Sequence, residues 1–153
     1  ESIGPTAEGL MANWLFHRSF PFTDPITGMT VAECCADYEA KTGLQWNQMI
    51  GVHTKLQWAI DVLKRVTDLD NKELFPEVIA QTKFEGINGP VDFTQPVKLG
   101  TSRPVPNVCK IKIAHGQWVK LPEGSKYKYD EILTAAQDEK TPIGKPFELM
   151  QYS

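Results

Sequence analysis

The sequence lacks the features that mark membrane-spanning, nucleic-acid-binding and disulfide-stabilised proteins. No apolar run approaches the roughly 20 residues that a bilayer-spanning helix needs. The formal net charge is −3, from 16 basic and 19 acidic residues, whereas nucleic-acid binders usually carry a basic excess. The three cysteines are an odd number and include no Cys-x-x-Cys pair, which excludes a complete disulfide framework. We therefore expect no nucleic-acid partner.

Motifs for metal, nucleotide and hydrolase chemistry are missing as well. The three histidines are far apart, whereas zinc ligands come in pairs at short fixed spacing. The glycines fit neither nucleotide-binding loop, and no Gly-x-Ser-x-Gly elbow occurs. Cys34 and Cys35 are predicted to lie on a buried helix face, where thiols are inert. The sequence thus predicts no catalytic residue, no metal and no cofactor.

What is present is the composition of an ordinary globular domain with both helix and strand patterns. The chain has 153 residues, of which 41% are hydrophobic and 23% charged, and this suits one domain with a sizeable core. A capping-box pattern at Thr30-Val-Ala-Glu33 predicts a helix through about Lys41, with Gly43 as its stop. The fold class that these patterns predict is α/β.

Two further helices follow. Residues 52–67 form the strongest one, and its narrow polar stripe predicts that the helix is covered on most sides. That stripe consists of Gln57, Asp61, Lys64 and Arg65. A third helix is predicted over 72–82, with Asp70 or Glu73 as its cap.

Strand patterns occur near the beginning of the chain and again after the third helix. The predictions, in chain order, are a strand near 8–13, a turn at Asn88-Gly89-Pro90 with a short strand at Val91 and Phe93, a crossing loop over 94–107, a β-hairpin over 108–121 with its turn at His115-Gly116, a final strand at Tyr127–Asp130, and a polar tail over 134–153.

Two segments could contact a small ligand. The first is an ordered aromatic loop over 14–29, in which Trp14, Phe16 and His17 could form an apolar pocket wall. The alternative is that these side chains fill a core or a lobe interface. The second segment is the start of the strongest helix, where backbone N–H groups near Gly51, His53 and Thr54 could attract a carboxylate. The alternative is a plain helix start with Thr54 as its cap.

Five ordered segments together resemble one protein family. They are Ala7-Glu8-Gly9-Leu10, Asp37-Tyr-Glu-Ala-Lys-Thr-Gly43, Ile50 to Arg65, Gly86-Ile-Asn-Gly-Pro-Val-Asp-Phe93, and Val108 to Val119 with its Gly116-Gln117-Trp118 end. In this order they resemble the C-terminal part of the type I periplasmic binding proteins, most closely the branched-chain amino-acid type. These are the substrate-binding subunits of ABC transporters. The resemblance covers residues 1 to about 130.

The resemblance implies two Rossmann-like α/β lobes joined by hinge crossings, closing on a ligand, with no enzymatic activity. Residues 1–13 would complete the second lobe and cross the hinge, 14–95 would belong to the first lobe, 96–107 would be a crossing loop, and 108–153 would return to the second lobe and form the C-terminal tail. The implied partners are a small solute and an ABC permease in the membrane. The implied location is the periplasm, or a lipid-anchored extracytoplasmic site in a Gram-positive.

The resemblance places Trp14, Phe16, His17, Gly51, His53 and Thr54 at the ligand cleft. His53 stands where the family often has an aromatic residue, which argues against a standard aliphatic amino acid as the ligand. Aromatic acids, amides and polar amino acids stay open. A small α/β enzyme that uses Glu8 with His17 or His53 is an alternative. A ligand-sensing receptor domain of the same fold is another.

The sequence departs from the family in one respect, because it contains no counterpart of the family's N-terminal half. The chain starts at Glu1 rather than Met, at a point where the family is already more than halfway through, so we interpret it as a processed or partial chain. Such a part should expose a large apolar area, which isolated proteins rarely tolerate. We therefore expect the remaining N-terminal part to be present as another chain, or a second copy to complete the fold by swapping.

Overall fold

The computed structural model describes residues 4–98, 100, 103–106 and 108–150. Within these residues the chain is mixed α/β, with three α-helices and three small antiparallel sheets. The elements are β1 (Met11–Trp14), α1 (Val31–Thr42), α2 (His53–Arg65), α3 (Leu74–Ala80), β2 (Lys83–Gly86), β3 (Gly89–Asp92), β4 (Val97–Lys98), β5 (Pro104–Val105), β6 (Ala114–Lys120) and β7 (Tyr129–Ala136). Two 3-10 turns, Gly4–Ala7 and Gln48–Val52, precede β1 and α2.

The main sheet joins the two ends of the chain. Its strand order is β1-β6-β7, and Trp14 of β1 pairs with Ala114 of β6, which in turn pairs with Ala136 of β7. All of these pairings are antiparallel. The predicted strand near 8–13 is confirmed with its bounds shifted to Met11–Trp14.

The predicted hairpin over 108–121 is wrong. His115-Gly116 does not turn the chain; it lies inside β6 and forms an irregularity in the pairing with β7. The chain reverses instead between the end of β6 and the start of β7, where Gly124 adopts a φ of +86°. Glycine suits both a turn and a bulge, so the local pattern favoured the wrong one.

The predicted final strand is longer than expected. β7 runs over Tyr129–Ala136, so the segment predicted as a polar tail begins within a strand. The rest of that tail is anchored on the sheet by Gln117. The Gln117 side chain donates to the Glu148 carbonyl oxygen at 2.7 Å and accepts from the Glu148 amide at 3.0 Å.

Helix α1 confirms the sequence prediction. The Thr30 hydroxyl accepts from the Glu33 amide at 3.2 Å, and the Glu33 carboxylate accepts from the Thr30 amide at 2.8 Å. This is a complete capping box, which satisfies two amides that the helix leaves unpaired. The helix ends at Gly43, whose φ of +71° is readily accessible to glycine.

Helix α2 forms as predicted, but its faces are arranged differently. Gln57, assigned to the polar stripe, is 1% exposed, while Leu56 and Leu63 are 60% and 49% exposed. The Gln57 side chain turns inward because its oxygen accepts from the Ile87 amide at 3.2 Å. The expectation that this helix is covered on most sides is therefore wrong for the residues that the structure describes.

Helix α3 is shorter than predicted. Glu73, one of the two predicted caps, occupies the cap position, but its side chain makes no capping hydrogen bond. The turn and strand predicted after it are part of a tight hairpin of β2 and β3, in which Gly86 pairs with Gly89. The loop over 94–107 contains the short pair of β4 and β5. Residues 99, 101–102 and 107 of this predicted loop lie outside the described residues.

The core lies between the sheet and the helices. Its buried members are Trp14, Phe16, Phe20, Phe22, Val31, Cys35, Trp46, Ile87, Ala114 and Leu133. Gly51 lets the 3-10 turn before α2 pack directly on this core, because a Cβ at that position would lie 2.5 Å from the Cβ of Phe16 and 2.9 Å from Oδ1 of Asn88.

Replacing Gly51 by alanine therefore tests the core packing. We expect Gly51→Ala to lower the free energy of unfolding by about 2 kcal/mol, because overpacking a core costs about 1–3 kcal/mol. Chemical denaturation of the variant and the parent measures the change. Val52→Ala is the matched control, since Val52 is 44% exposed and its truncation should have a small effect. An unchanged or higher stability for Gly51→Ala would contradict the close packing.

Candidate functional site

The aromatic loop packs into the core and brings three of the six candidate ligand residues with it. Trp14 is 7%, Phe16 0% and His17 2% exposed. Trp14 and Phe16 belong to the core, as the alternative interpretation of this loop expects. Trp14 lines a cavity, whereas Phe16 and His17 line neither of the two cavities described below.

His17 is held in one neutral form. The Ser19 amide donates to Nδ1 at 3.1 Å, so Nε2 carries the proton and donates to the carbonyl oxygen of Glu131 at 3.2 Å. Burial lowers the pKa of His17 from 6.5 to about 4, although the bond to the Glu131 carbonyl opposes this change. Both ring nitrogens therefore have partners within the chain.

Glu131 is a buried carboxyl group beneath the same cluster, with 1% of its surface exposed. The Trp14 indole N–H donates to Oε1, while Oε2 has no partner within the described part of the chain. Burial raises the pKa of Glu131 to about 8, and the neighbouring Asp130 carboxylate adds to the rise. Gly116 on β6 provides the space, because a Cβ there would lie 2.6 Å from Oε1.

The first cavity lies beside this cluster and holds three of the four tryptophans. We call it the tryptophan cavity; its volume is about 270 Å³. Trp14 stands edge-on to Trp118, with ring centroids 6.5 Å apart, and its centroid is 6.1 Å from that of Trp46. The Trp46 N–H donates to Oδ1 of Asp130 at 3.1 Å. The lining residues are Trp14, Trp46, Asn47, Gln48, Met49, Trp118 and Asp130.

The second cavity, which we call the histidine cavity, has a volume of about 440 Å³ and is lined by His53. His53 Nε2 lies 3.1 Å from Oδ2 of Asp24, whose side chain is 2% exposed. Burial alone would raise the pKa of Asp24, but hydrogen bonds, led by those from the Ile26 amide and the Thr27 hydroxyl, hold it below its ordinary value. The apolar wall includes Met29, Met49, Ile50, Val52 and Leu56. Because Met49 lines both cavities, the two are adjacent.

Gly51 and Thr54 flank His53 in sequence but do not line the histidine cavity. Gly51 is buried against Phe16. The Thr54 hydroxyl oxygen is buried and has no hydrogen-bond partner within the described part of the chain. Of the three residues predicted at this helix start, only His53 is therefore on a cavity wall.

The helix start itself differs from the prediction. The cap position of α2 is Val52, which makes no side-chain hydrogen bond, so Thr54 is not the cap. The 3-10 turn Gln48–Val52 runs directly into α2, and its beginning is capped by Asn47, whose side chain accepts from the Met49 amide at 2.9 Å. A carboxylate site at the start of α2 stays a prediction.

Sequence reasoning missed Trp46, Trp118 and Asp130 in the tryptophan cavity, and Asp24 in the histidine cavity. Two local signals could have found part of this set. Trp46 directly precedes Asn47, which caps the 3-10 turn before α2. Asp24 directly precedes a proline in a turn, and the Asp24 side chain stabilises that turn by accepting from the Ile26 amide at 2.8 Å. Trp118 and Asp130 carry no such signal, because only the pairing of β6 with β7 brings them together.

The residues of the alternative enzyme hypothesis have different surroundings. Glu8 lines a separate cavity with Gln117 and Glu148, His53 lines the histidine cavity, and both ring nitrogens of His17 are already bonded. The prediction that both cysteines lie on a buried helix face holds for Cys35, whose pKa is raised by burial to about 12. It is wrong for Cys34, which is half-buried and lines the histidine cavity. The residues that the structure describes contain no group of three or more His, Cys, Asp or Glu side chains placed to hold a metal ion.

Comparison with protein-family models, with curated proteins and with solved structures finds no match for this chain. None of the helices within the described ranges is both long enough and apolar enough to cross a bilayer.

The buried pair of Glu131 and His17 makes stability depend on pH. The folded chain keeps Glu131 protonated up to about pH 8, whereas the ordinary pKa is 4.5, so this group destabilises the fold progressively as the pH rises between these values. His17 acts in the opposite direction, but only between its folded pKa of about 4 and its ordinary value of 6.5. Between pH 6.5 and pH 8, Glu131 is the member of this pair that changes the stability.

We therefore expect the free energy of unfolding to fall by about 2 kcal/mol between pH 6.5 and pH 8, since one pKa unit corresponds to about 1.4 kcal/mol. Denaturant titrations at several pH values measure this slope. Glu131→Gln keeps an acceptor for Trp14 without a titrating group, so its stability should be nearly flat over that interval. A parallel slope in parent and variant would contradict the assignment to Glu131.

Proposed function

We propose that this chain is the C-terminal portion of the substrate-binding subunit of an ABC transporter, with a binding rather than a catalytic role. Its solute would be an amino acid or a related carboxylate or amide. The observation that carries the proposal is the pair of adjacent cavities: Trp14 lines one, His53 lines the other, and Met49 lines both. Apolar and aromatic walls with a few polar groups are typical of a small-ligand site.

The main sheet supports one part of the proposal, the assignment of both ends of the chain to the same lobe. The resemblance assigns 1–13 and 108–153 to one lobe, 14–95 to the other, and 96–107 to a crossing. Because β1 pairs with β6, the beginning and the end of the chain share one sheet, as expected if both belong to the same lobe. All three helices and the hairpin of β2 and β3 come from the intervening segment. Residues 1–3 and 151–153 lie outside the described residues.

A second polypeptide is part of the proposal. Val52, Leu56 and Leu63 are 44%, 60% and 49% exposed, and their spacing places them on one stripe of α2 and the turn before it. An exposed apolar stripe on a helix is the kind of surface that a partner covers. The proposed partner is the remaining N-terminal part of the same protein, or a swapped copy. The assembled subunit would deliver its solute to a membrane permease, from the periplasm or from a lipid-anchored position in a Gram-positive.

The partner is tested by comparing native and denaturing mass spectra of the purified material. We expect either a second polypeptide beside the 17.2 kDa chain or a native mass of two copies. Leu56→Gln combined with Leu63→Gln should weaken that association, because it replaces apolar contacts by polar groups. A chain that stays monomeric and alone, with unchanged behaviour in the double variant, would contradict the proposed partner.

The solute site is tested by calorimetric titration with a panel of aliphatic and aromatic amino acids, aromatic carboxylates and amides. We expect a member of the panel to bind and its affinity to fall by about tenfold in His53→Gln and in Trp14→Phe, since one hydrogen bond to a charged group or one aromatic contact contributes about 1–3 kcal/mol. His115→Gln and Trp58→Phe are the matched controls, because neither residue lines the two cavities. Equal losses in variants and controls would contradict the site.

A further inference from the structure

We infer that the tryptophan cavity binds an organic ammonium group, such as the methylated head of a quaternary amine. This inference deepens the proposed function, on which it rests, by naming the chemistry of the solute part that Trp14 contacts. It is carried by three features of the cavity: its aromatic wall, its one charged side chain and its size.

Two of the three tryptophans in the aromatic wall, Trp14 and Trp46, offer π surface but no free N–H group. The Trp14 indole N–H is bonded to Glu131, and the Trp46 indole N–H to Asp130. Both rings are thus held in place and have no N–H left with which to bind a sugar hydroxyl or a carboxylate. What these two rings present is ring carbon with its π electrons, and tryptophan attracts cations more strongly than any other aromatic side chain.

Among the described residues that line the cavity, Asp130 is the one with a charged side chain, and its charge is negative. Asp130 contributes a carboxylate whose Oδ1 accepts from Trp46, from the Gln45 side chain at 3.2 Å and from the Glu131 amide at 2.9 Å. Its Oδ2 faces Arg18 at 3.3 Å, and the Arg18 side chain is 46% exposed. The described residues that line the cavity include no lysine, arginine or histidine. Such a wall complements a cation and opposes an anion.

The size of the cavity and its mostly apolar lining restrict the class of cation that fits. A volume of about 270 Å³ is below the range of roughly 300–1,000 Å³ typical for drug-sized ligands, so it suits one small head group. Apolar walls do not replace the hydration shell of a small inorganic ion. An ammonium that carries methyl groups needs less hydration and gains apolar contact, which makes it the class that fits best.

The test titrates choline and its neutral carbon isostere, 3,3-dimethyl-1-butanol, at constant ionic strength. The protein carries Trp58→Phe, because Trp58 lies outside the cavity and its removal leaves the three lining tryptophans as the only indole fluorophores. We expect choline to change the fluorescence saturably, with a Kd on the order of 1 mM or tighter. The neutral isostere should bind about tenfold more weakly. Absence of saturable choline binding, or equal binding of the isostere, would overturn the inference.

Two variants that each remove one charge test whether electrostatic attraction contributes to choline binding. Asp130→Asn keeps an oxygen for Trp46 and should weaken choline about tenfold without changing the isostere. Arg18→Gln removes the competing cation, whose side chain is 46% exposed, and should tighten choline binding about threefold, as expected for a screened surface charge. The cation site would be contradicted if both variants left choline binding unchanged, or if each changed it in the direction opposite to the one expected.

Failure of the inference and failure of the proposed function give different results. Choline binding that responds to Asp130→Asn, with no panel solute that depends on His53, would support the cation site and reject the proposed solute site. A panel solute that depends on His53, with no choline binding, would support the proposed function and overturn the cation site.

Discussion

The buried carboxyl group of Glu131 is the constraint on which the rest of the structure depends, because one residue holds two aromatic side chains from the opposite end of the chain. Its side chain accepts from Trp14 and its carbonyl oxygen accepts from His17. A carboxyl group in the core is tolerable when it is protonated and hydrogen-bonded. The space for it comes from Gly116. Asp130, the preceding residue, fixes Trp46 in the same way, so two adjacent positions of β7 organise the aromatic wall of the tryptophan cavity.

Local sequence patterns predicted what local interactions determine. The capping box of Thr30 and Glu33 and the stop at Gly43 were correct because each acts within a few residues. The turn at His115-Gly116 was wrong because glycine there serves a contact with Glu131, 15 positions away in sequence. Likewise, the sequence pattern predicts that Gln57 faces solvent, yet its side chain points inward because it accepts a hydrogen bond from the Ile87 amide. Propensity and periodicity carry no information about such distant partners.

Because local patterns carry no information about distant partners, only part of the site could be predicted from the sequence. Trp14 and His53 were found because aromatic density and a helix start are visible in a short window. Trp118 and Asp130 were not, since they join the cavity only through the register of β6 and β7. Phe16 and Gly51 share one contact, which explains why two residues from separate candidate segments both lie inside the core.

The pairing of β1 with β6 has a kinetic consequence. Met11 and Gln117 are partners in this sheet, so the chain must close a loop of more than a hundred residues before the sheet exists, and loops of this kind are slow to close. The helices and the hairpin of β2 and β3 depend on nearby partners and can form earlier. During synthesis, β1 therefore remains unpaired until β6 has left the ribosome. Folding of this chain is thus expected to be late and cooperative at the sheet, after an early helical phase.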